Sequence, residues 1–86
     1  MSSSIRLTIS YGYDIHKLDL PKNTYDKVKN GELIEVVGQG FAIEGSLKKD
    51  FWIFGKGFLE VYCEDGFEVY SGELDDAILT VETIDL

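Results

Sequence analysis

The stretch FLEVYCEDGFEVYSGE, residues 58–73, decides how this chain is threaded. Two runs rich in β-branched and aromatic residues flank Glu64-Asp65-Gly66, the pattern of a β-hairpin. Turn length sets the register, and a slip of one residue sends every side chain to the other face. A two-residue turn at Asp65-Gly66 pairs Glu64 with Phe67 and Tyr62 with Val69, and each face then mixes acids with apolar groups. A three-residue turn pairs Cys63 with Phe67, Val61 with Val69 and Leu59 with Ser71. On its other face it pairs Tyr62 with Glu68 and Glu60 with Tyr70. The second register segregates the faces and puts glycine at the left-handed position of the turn. Leu59, Val61, Cys63, Phe67 and Val69 are therefore expected inside, and Glu60, Tyr62, Glu68 and Tyr70 outside.

Working outward, SIRLTIS (4–10) alternates strictly, with Ile5, Leu7 and Ile9 on one side. After a turn at Gly12, IHKLDLP (15–21) alternates again, with His16, Leu18 and Leu20 on one face, and ends at Pro21. These two runs read as a hairpin. KNTYDKVKNG (22–31) is the one helix, expected over about 23–30, capped by Asn23, with Asp26 near its positive end and Gly31 as its left-handed stop. Tyr25 and Val28 would pack it on the sheet. ELIEVVGQGFAIEG (32–45) is strand-like, and its inner glycines Gly38 and Gly40 suggest a bulge, a sharp bend or a tight turn. SLKKD (46–50) reads as a turn and FWIF (51–54) as a short strand, apolar on both faces, so either central or carrying an exposed aromatic patch, with Trp52 in the core. The last strand is AILTVETI (77–84). If it lies beside the 58–73 hairpin, Leu79 and Val81 join the core, Thr80 and Glu82 extend the outer face, and Asp75 and Asp76 sit at its margin. The expected fold class is α+β, mostly β: an antiparallel sheet or small barrel-like domain of about six or seven strands with one short helix. The 86 residues suit a single compact domain.

The net charge of −8 is unevenly placed. Residues 1–56 hold all eight Lys and Arg against seven acids, and residues 57–86 hold nine acids and no Lys or Arg. That asymmetry favours a basic partner and opposes direct binding to nucleic acid or to an anionic membrane. One cysteine, Cys63, excludes an internal disulfide, and no apolar run reaches membrane-spanning length. The start, MSSSIRL, lacks the features of a secretory signal, so a cytoplasmic protein is expected. Catalytic chemistry is sparse. His16 follows Asp14 by two residues without a nucleophile motif, GQGFAI lacks the third glycine of a dinucleotide fingerprint, and ELDD (73–76) lacks the glycine of a calcium loop. No enzyme activity, cofactor or metal is expected.

A small, acidic, β-rich chain of this kind is similar to proteinaceous inhibitors, such as phage anti-defence proteins including anti-CRISPRs, and immunity proteins against nuclease toxins. The likeness covers size and charge, with no motif behind it. It implies an inhibitor that docks an acidic face on a basic, nucleic-acid-binding surface of a partner protein, for example a nuclease, and blocks it. Glu60, Tyr62, Glu68 and Tyr70 would make the contact, with Asp65, Asp75, Asp76 and Glu82 steering. The alternative is a structural or assembly module that self-associates, as a homodimer for instance, through a sheet edge.

Overall fold

The computed structural model describes residues 3–11, 14–41, 47–77 and 79–85. Strands β1 (Ser3–Tyr11), β2 (Asp14–Pro21), β3 (Ile34–Phe41), β4 (Leu47–Phe54), β5 (Phe58–Cys63), β6 (Glu68–Glu73) and β7 (Leu79–Asp85) form one antiparallel sheet in the order β6-β5-β4-β3-β2-β1-β7. The sheet curls into a half-barrel. One helix, α1 (Lys22–Lys29), and a short 3-10 turn, η1 (Leu74–Asp76), complete the described elements. The mostly-β α+β expectation holds.

The concave face carries the core. Alternation delivers Ile5, Leu7 and Ile9 from β1, Leu18 and Leu20 from β2, Trp52 and Phe54 from β4, and Leu59 and Val61 from β5, all buried. Trp52 and Phe54 stack with ring centroids 6.1 Å apart. Helix α1 lies against β1 and β2, burying Val28 with Tyr25 half-buried beside it, as its pattern predicts.

The helix starts one residue earlier than expected. Pro21 occupies the N-cap position and no side chain caps the first turn, so Asn23 is a first-turn residue rather than the cap. A proline suits an entry where the chain has no use for its missing N–H. Asp26 instead lies one turn from Lys22, at 3.8 Å. The far end follows the sequence: Gly31 has φ +85°, its N–H donates to the Val28 carbonyl, and Glu32 N–H donates to Lys27. That pair of bonds closes the last turn with glycine in the left-handed position.

Two expectations change in the middle of the chain. β3 pairs with β4 without interruption from Ile34↔Phe54 to Phe41↔Leu47, so Gly38 and Gly40 mark no bulge. They face inward, and each leaves room for a side chain of β4 lying across it. SLKKD is not a turn from Leu47 onward, because β4 begins there. The turn expected at Gly12 lies outside the described residues.

Candidate functional site

The β5–β6 hairpin closes as its residues demand. Gly66 N–H donates to the Cys63 carbonyl at 2.9 Å, Cys63 N–H donates to the Phe67 carbonyl at 2.8 Å, and Gly66 has φ +89°. Tyr62 pairs with Glu68. One step further the register shifts: Val61 faces Tyr70 rather than Val69, Glu60 faces Ser71, and Leu59 faces Gly72. At such a bulge two residues oppose one, and here Val69 and Tyr70 both pack on the core. Tyr70 is thus corrected from the outer face to the inner one, and its hydroxyl donates to the Glu73 carbonyl at 2.6 Å. Burial, then the Asp76 and Glu73 carboxylates, push the Tyr70 phenol above its ordinary value. Phe67, expected inside, is 73% exposed, because it sits at the hairpin tip beyond the reach of the core.

Glu60, Tyr62 and Glu68 remain together on the convex face. Burial first, then the Glu60 and Glu68 carboxylates, raise the Tyr62 phenol above its ordinary value, so the three groups share one electrostatic environment. The neighbouring strands extend this cluster. Val37, Phe51, Tyr62 and Glu68 form one cross-strand row, and Glu35, Ile53, Glu60 and Ser71 form the next. Val37 is 58% exposed and Phe51 42%. An apolar and aromatic row is therefore bordered by carboxylates. Sequence reasoning missed Val37, Phe51, Ile53 and Glu35, although a run apolar on both faces, FWIF, carried the signal.

The other expected contact residues do not converge on this face. Asp65 sits at the hairpin tip, 3.8 Å from the Lys48 ammonium. Asp75 and Asp76 lie on η1, on the concave side, where Asp75 rims a cavity of about 330 Å³ lined by Leu7, Val28 and Leu74. β7 pairs with β1, not with the hairpin, and so Glu82 faces Arg6 at the far edge of the sheet. Thr80 faces Thr8 at that same edge. Val81 does not join the core; it is 51% exposed on the open side. The expectation for the Leu79 side chain falls outside what the structure describes.

A second constellation lies at one end of the half-barrel. His16 and Asp50 are 4% and 1% exposed, and His16 Nδ1 lies 2.5 Å from Asp50 Oδ2. Nδ1–H donates to the carboxylate, a contact open to both the neutral and the protonated ring. His16 thus pairs with Asp50, and Asp14, the sequence neighbour expected to orient it, sits exposed on the rim. Gly40 makes the pairing possible. A Cβ there would lie 2.7 Å from Asp50 Oδ2 and 2.9 Å from Oδ1, so the carboxylate crosses the bare glycine to reach β2. Asp50 Oδ1 and Trp52 Nε1 are buried without hydrogen-bond partners among the described residues.

Asp14, His16, Gly40, Phe41, Lys48, Asp50 and Cys63 line a pocket of about 70 Å³ at this end. Burial, then the carboxylates of Asp50, Asp65 and Asp14, push the Cys63 thiol up, with Lys48 opposing. That field disfavours the thiolate a nucleophile requires. No group of three or more His, Cys, Asp or Glu among the described residues is placed to hold a metal ion. No described helix is long and apolar enough to cross a membrane. No protein-family model, curated protein or solved structure matches the chain.

Proposed function

We propose that the chain is a binding protein that docks its convex sheet face on a basic, nucleic-acid-binding surface of a partner protein and blocks it by occupancy. One observation carries this reading: Glu60, Tyr62 and Glu68 adjoin the exposed Val37 and Phe51 across three hydrogen-bonded strand pairs. Aromatic side chains anchor interfaces with little loss of rotamer freedom. The surrounding carboxylates complement Lys and Arg and accelerate encounter at low salt. Asp65 steers from the hairpin tip. Tyr70, Asp75, Asp76 and Glu82 lie too far round the sheet to share one flat contact with Tyr62. No catalytic step is assigned to the chain.

The test uses the partner captured on the immobilised chain from the native host lysate and identified by mass spectrometry. Glu60→Lys with Glu68→Lys should cut capture at least about tenfold, given coupling energies above 1.4 kcal/mol for close interfacial charge pairs. The melting temperature should hold, and the wild-type chain should inhibit the partner's nucleic-acid binding. Capture that survives the double reversal, or that does not weaken as salt rises, removes the reading.

A second reading has its own observation. The half-barrel is open, and β6 and β7 are its two edges. β6 is broken by its bulge, a device that discourages pairing, and β7 is the longer edge. Self-association would therefore run through β7. A concentration-dependent dimer in sedimentation equilibrium, lost when proline is placed in β7, supports assembly; a monomer throughout rejects it.

A further inference from the structure

We infer that the pocket at the His16–Asp50 end is a binding site for a primary ammonium group, the head of a lysine side chain or of a small alkylamine. The pocket has a buried floor and a charged rim. Its floor is Asp50, whose Oδ2 is taken by His16 while Oδ1 has no partner among the described residues. A carboxylate oxygen buried to this degree and left unpaired costs free energy until a donor reaches it. The described side chains supply none.

The charge around the pocket selects a cation. Asp14 and Asp50 line it, and Asp65 sits beside Lys48, the pocket's one lining cation among the described residues, at 3.8 Å. Three carboxylates against Lys48 leave the site negative whether His16 is neutral or protonated. The Cys63 thiol lies within reach of all three: burial first, then Asp50, Asp65 and Asp14, push it up.

Shape narrows the class further. A single free oxygen offers no match for the planar fork of a guanidinium, which is suited to two parallel acceptors. A compact ammonium with three rotatable donors can bond Oδ1 and turn its remaining protons toward Asp14 at the rim. A pocket of about 70 Å³ admits a terminal methylene and ammonium, and no larger polar ligand. The site lies at the end of the sheet and is independent of the convex-face reading.

The probe is methylammonium, titrated into the intact chain and followed by NMR at the His16 ring and the Trp52 indole N–H. With two heavy atoms it can bind no tighter than about 5–10 mM. Saturable shifts confined to the pocket are expected, weaker with guanidinium and absent with tetramethylammonium or sodium. Asp14→Asn, on the exposed rim and harmless to the core, should weaken binding about threefold or more, and Asp50→Asn about tenfold or more, as charge-assisted bonds would. A capped Gly-Lys-Gly peptide separates the sources. Binding at least as tight as methylammonium marks a protein lysine, whereas exclusion of the peptide marks a free amine. Shifts that do not saturate, or that tetramethylammonium, sodium or the Asp14→Asn chain reproduces in full, overturn the proposal.

Discussion

Replacing Gly40 with alanine places a methyl carbon 2.7 Å from Asp50 Oδ2 and 2.9 Å from Oδ1. Both contacts are far inside van der Waals distance, so one group must move. The backbone of β3 is fixed by β4 on one side and β2 on the other. The carboxylate must therefore swing off His16. That strands a ring nitrogen and a carboxylate in a site where each is more than nine-tenths buried. Each stranded group costs about 1–3 kcal/mol. Alanine returns about 0.4–1 kcal/mol by restricting the unfolded chain. The net loss is about 1–5 kcal/mol, at roughly 4–8 °C in melting temperature per kcal/mol for a chain of this size. Thermal and urea melts followed by circular dichroism read it directly. A double-mutant cycle then isolates the cause. In an Asp50→Ala background the methyl enters space the carboxylate has left, and the same Gly40→Ala change should leave stability unchanged or raise it by up to about 1 kcal/mol. If Asp50→Ala does not fold alone, His16→Leu with Asp50→Ala serves as background, because removing both polar ends can be nearly neutral. Equal costs in both backgrounds, or a wild-type chain stabilised by Gly40→Ala, would refute the claim that this glycine exists to let the carboxylate pass.

Gly38→Ala should behave differently, because its Cβ meets the Lys17 backbone carbonyl at 2.6 Å as well as Trp52 Nε1 at 2.7 Å. Trimming the indole with Trp52→Phe therefore should not rescue it, and rescue in a thermal melt would show that the backbone contact is soft. The two phenols of the hairpin should separate: Tyr70→Ala should lose about 1–3 kcal/mol in urea unfolding, below the 3–5 of a fully buried aromatic, while Tyr62→Ala should lose under about 1. Equal losses would reverse the bulge assignment. Arg6 grips Asp19 through two bonds of 2.8 and 3.0 Å, and the bond, then the guanidinium charge, holds the Asp19 carboxyl below its usual value. A depressed folded value adds stability that is present above the unfolded value near pH 4 and is lost as pH falls through the folded one. Asp19→Asn should accordingly flatten the acid limb of the stability curve below pH 4. At pH 7 its cost should stay under about 1 kcal/mol, since both partners are partly exposed. An unchanged acid limb would discard the linkage.

The strands were legible wherever one face is buried. SIRLTIS and IHKLDLP alternate, and their inward residues are the ones the sheet buries. The hairpin turn was legible too, because Gly66 is the one residue there that takes a left-handed conformation without strain. Its continuation was not. EVYSGE contains Val69 and Tyr70 in succession, and either can serve as the inward residue. Strict alternation chooses Val69 alone, whereas the bulge seats both. The bulge therefore settles the orientation of Tyr70, and no local pattern in six residues announces it. The last strand was misplaced for a different reason. Its partner is a matter of topology, and nothing in AILTVETI distinguishes the edge beside β1 from the edge beside β6.

The buried pair was hidden at a deeper level. His16 and Asp50 are 34 residues apart, and Asp50 ends a run, SLKKD, whose polarity reads as a surface turn. Yet the mark of the pair was present in GQG. A glycine facing inward from a strand has two physical meanings: a bend in that strand, or a neighbour's side chain lying across it. A bend needs no particular residue on the adjacent strand. A crossing does, and it needs that residue two strand-widths from its partner, with glycine between. β2, β3 and β4 supply that order, His16 then Gly40 then Asp50, and Gly38 repeats the device for Trp52. Side chains of that reach keep β2 and β4 in one register through β3, since sliding β3 by one residue would put a Cβ under the carboxylate and sliding β2 or β4 would turn His16 or Asp50 to the other face. The pair that closes this end of the sheet and the carboxylate oxygen it leaves without a partner among the described residues are thus consequences of the same missing side chain.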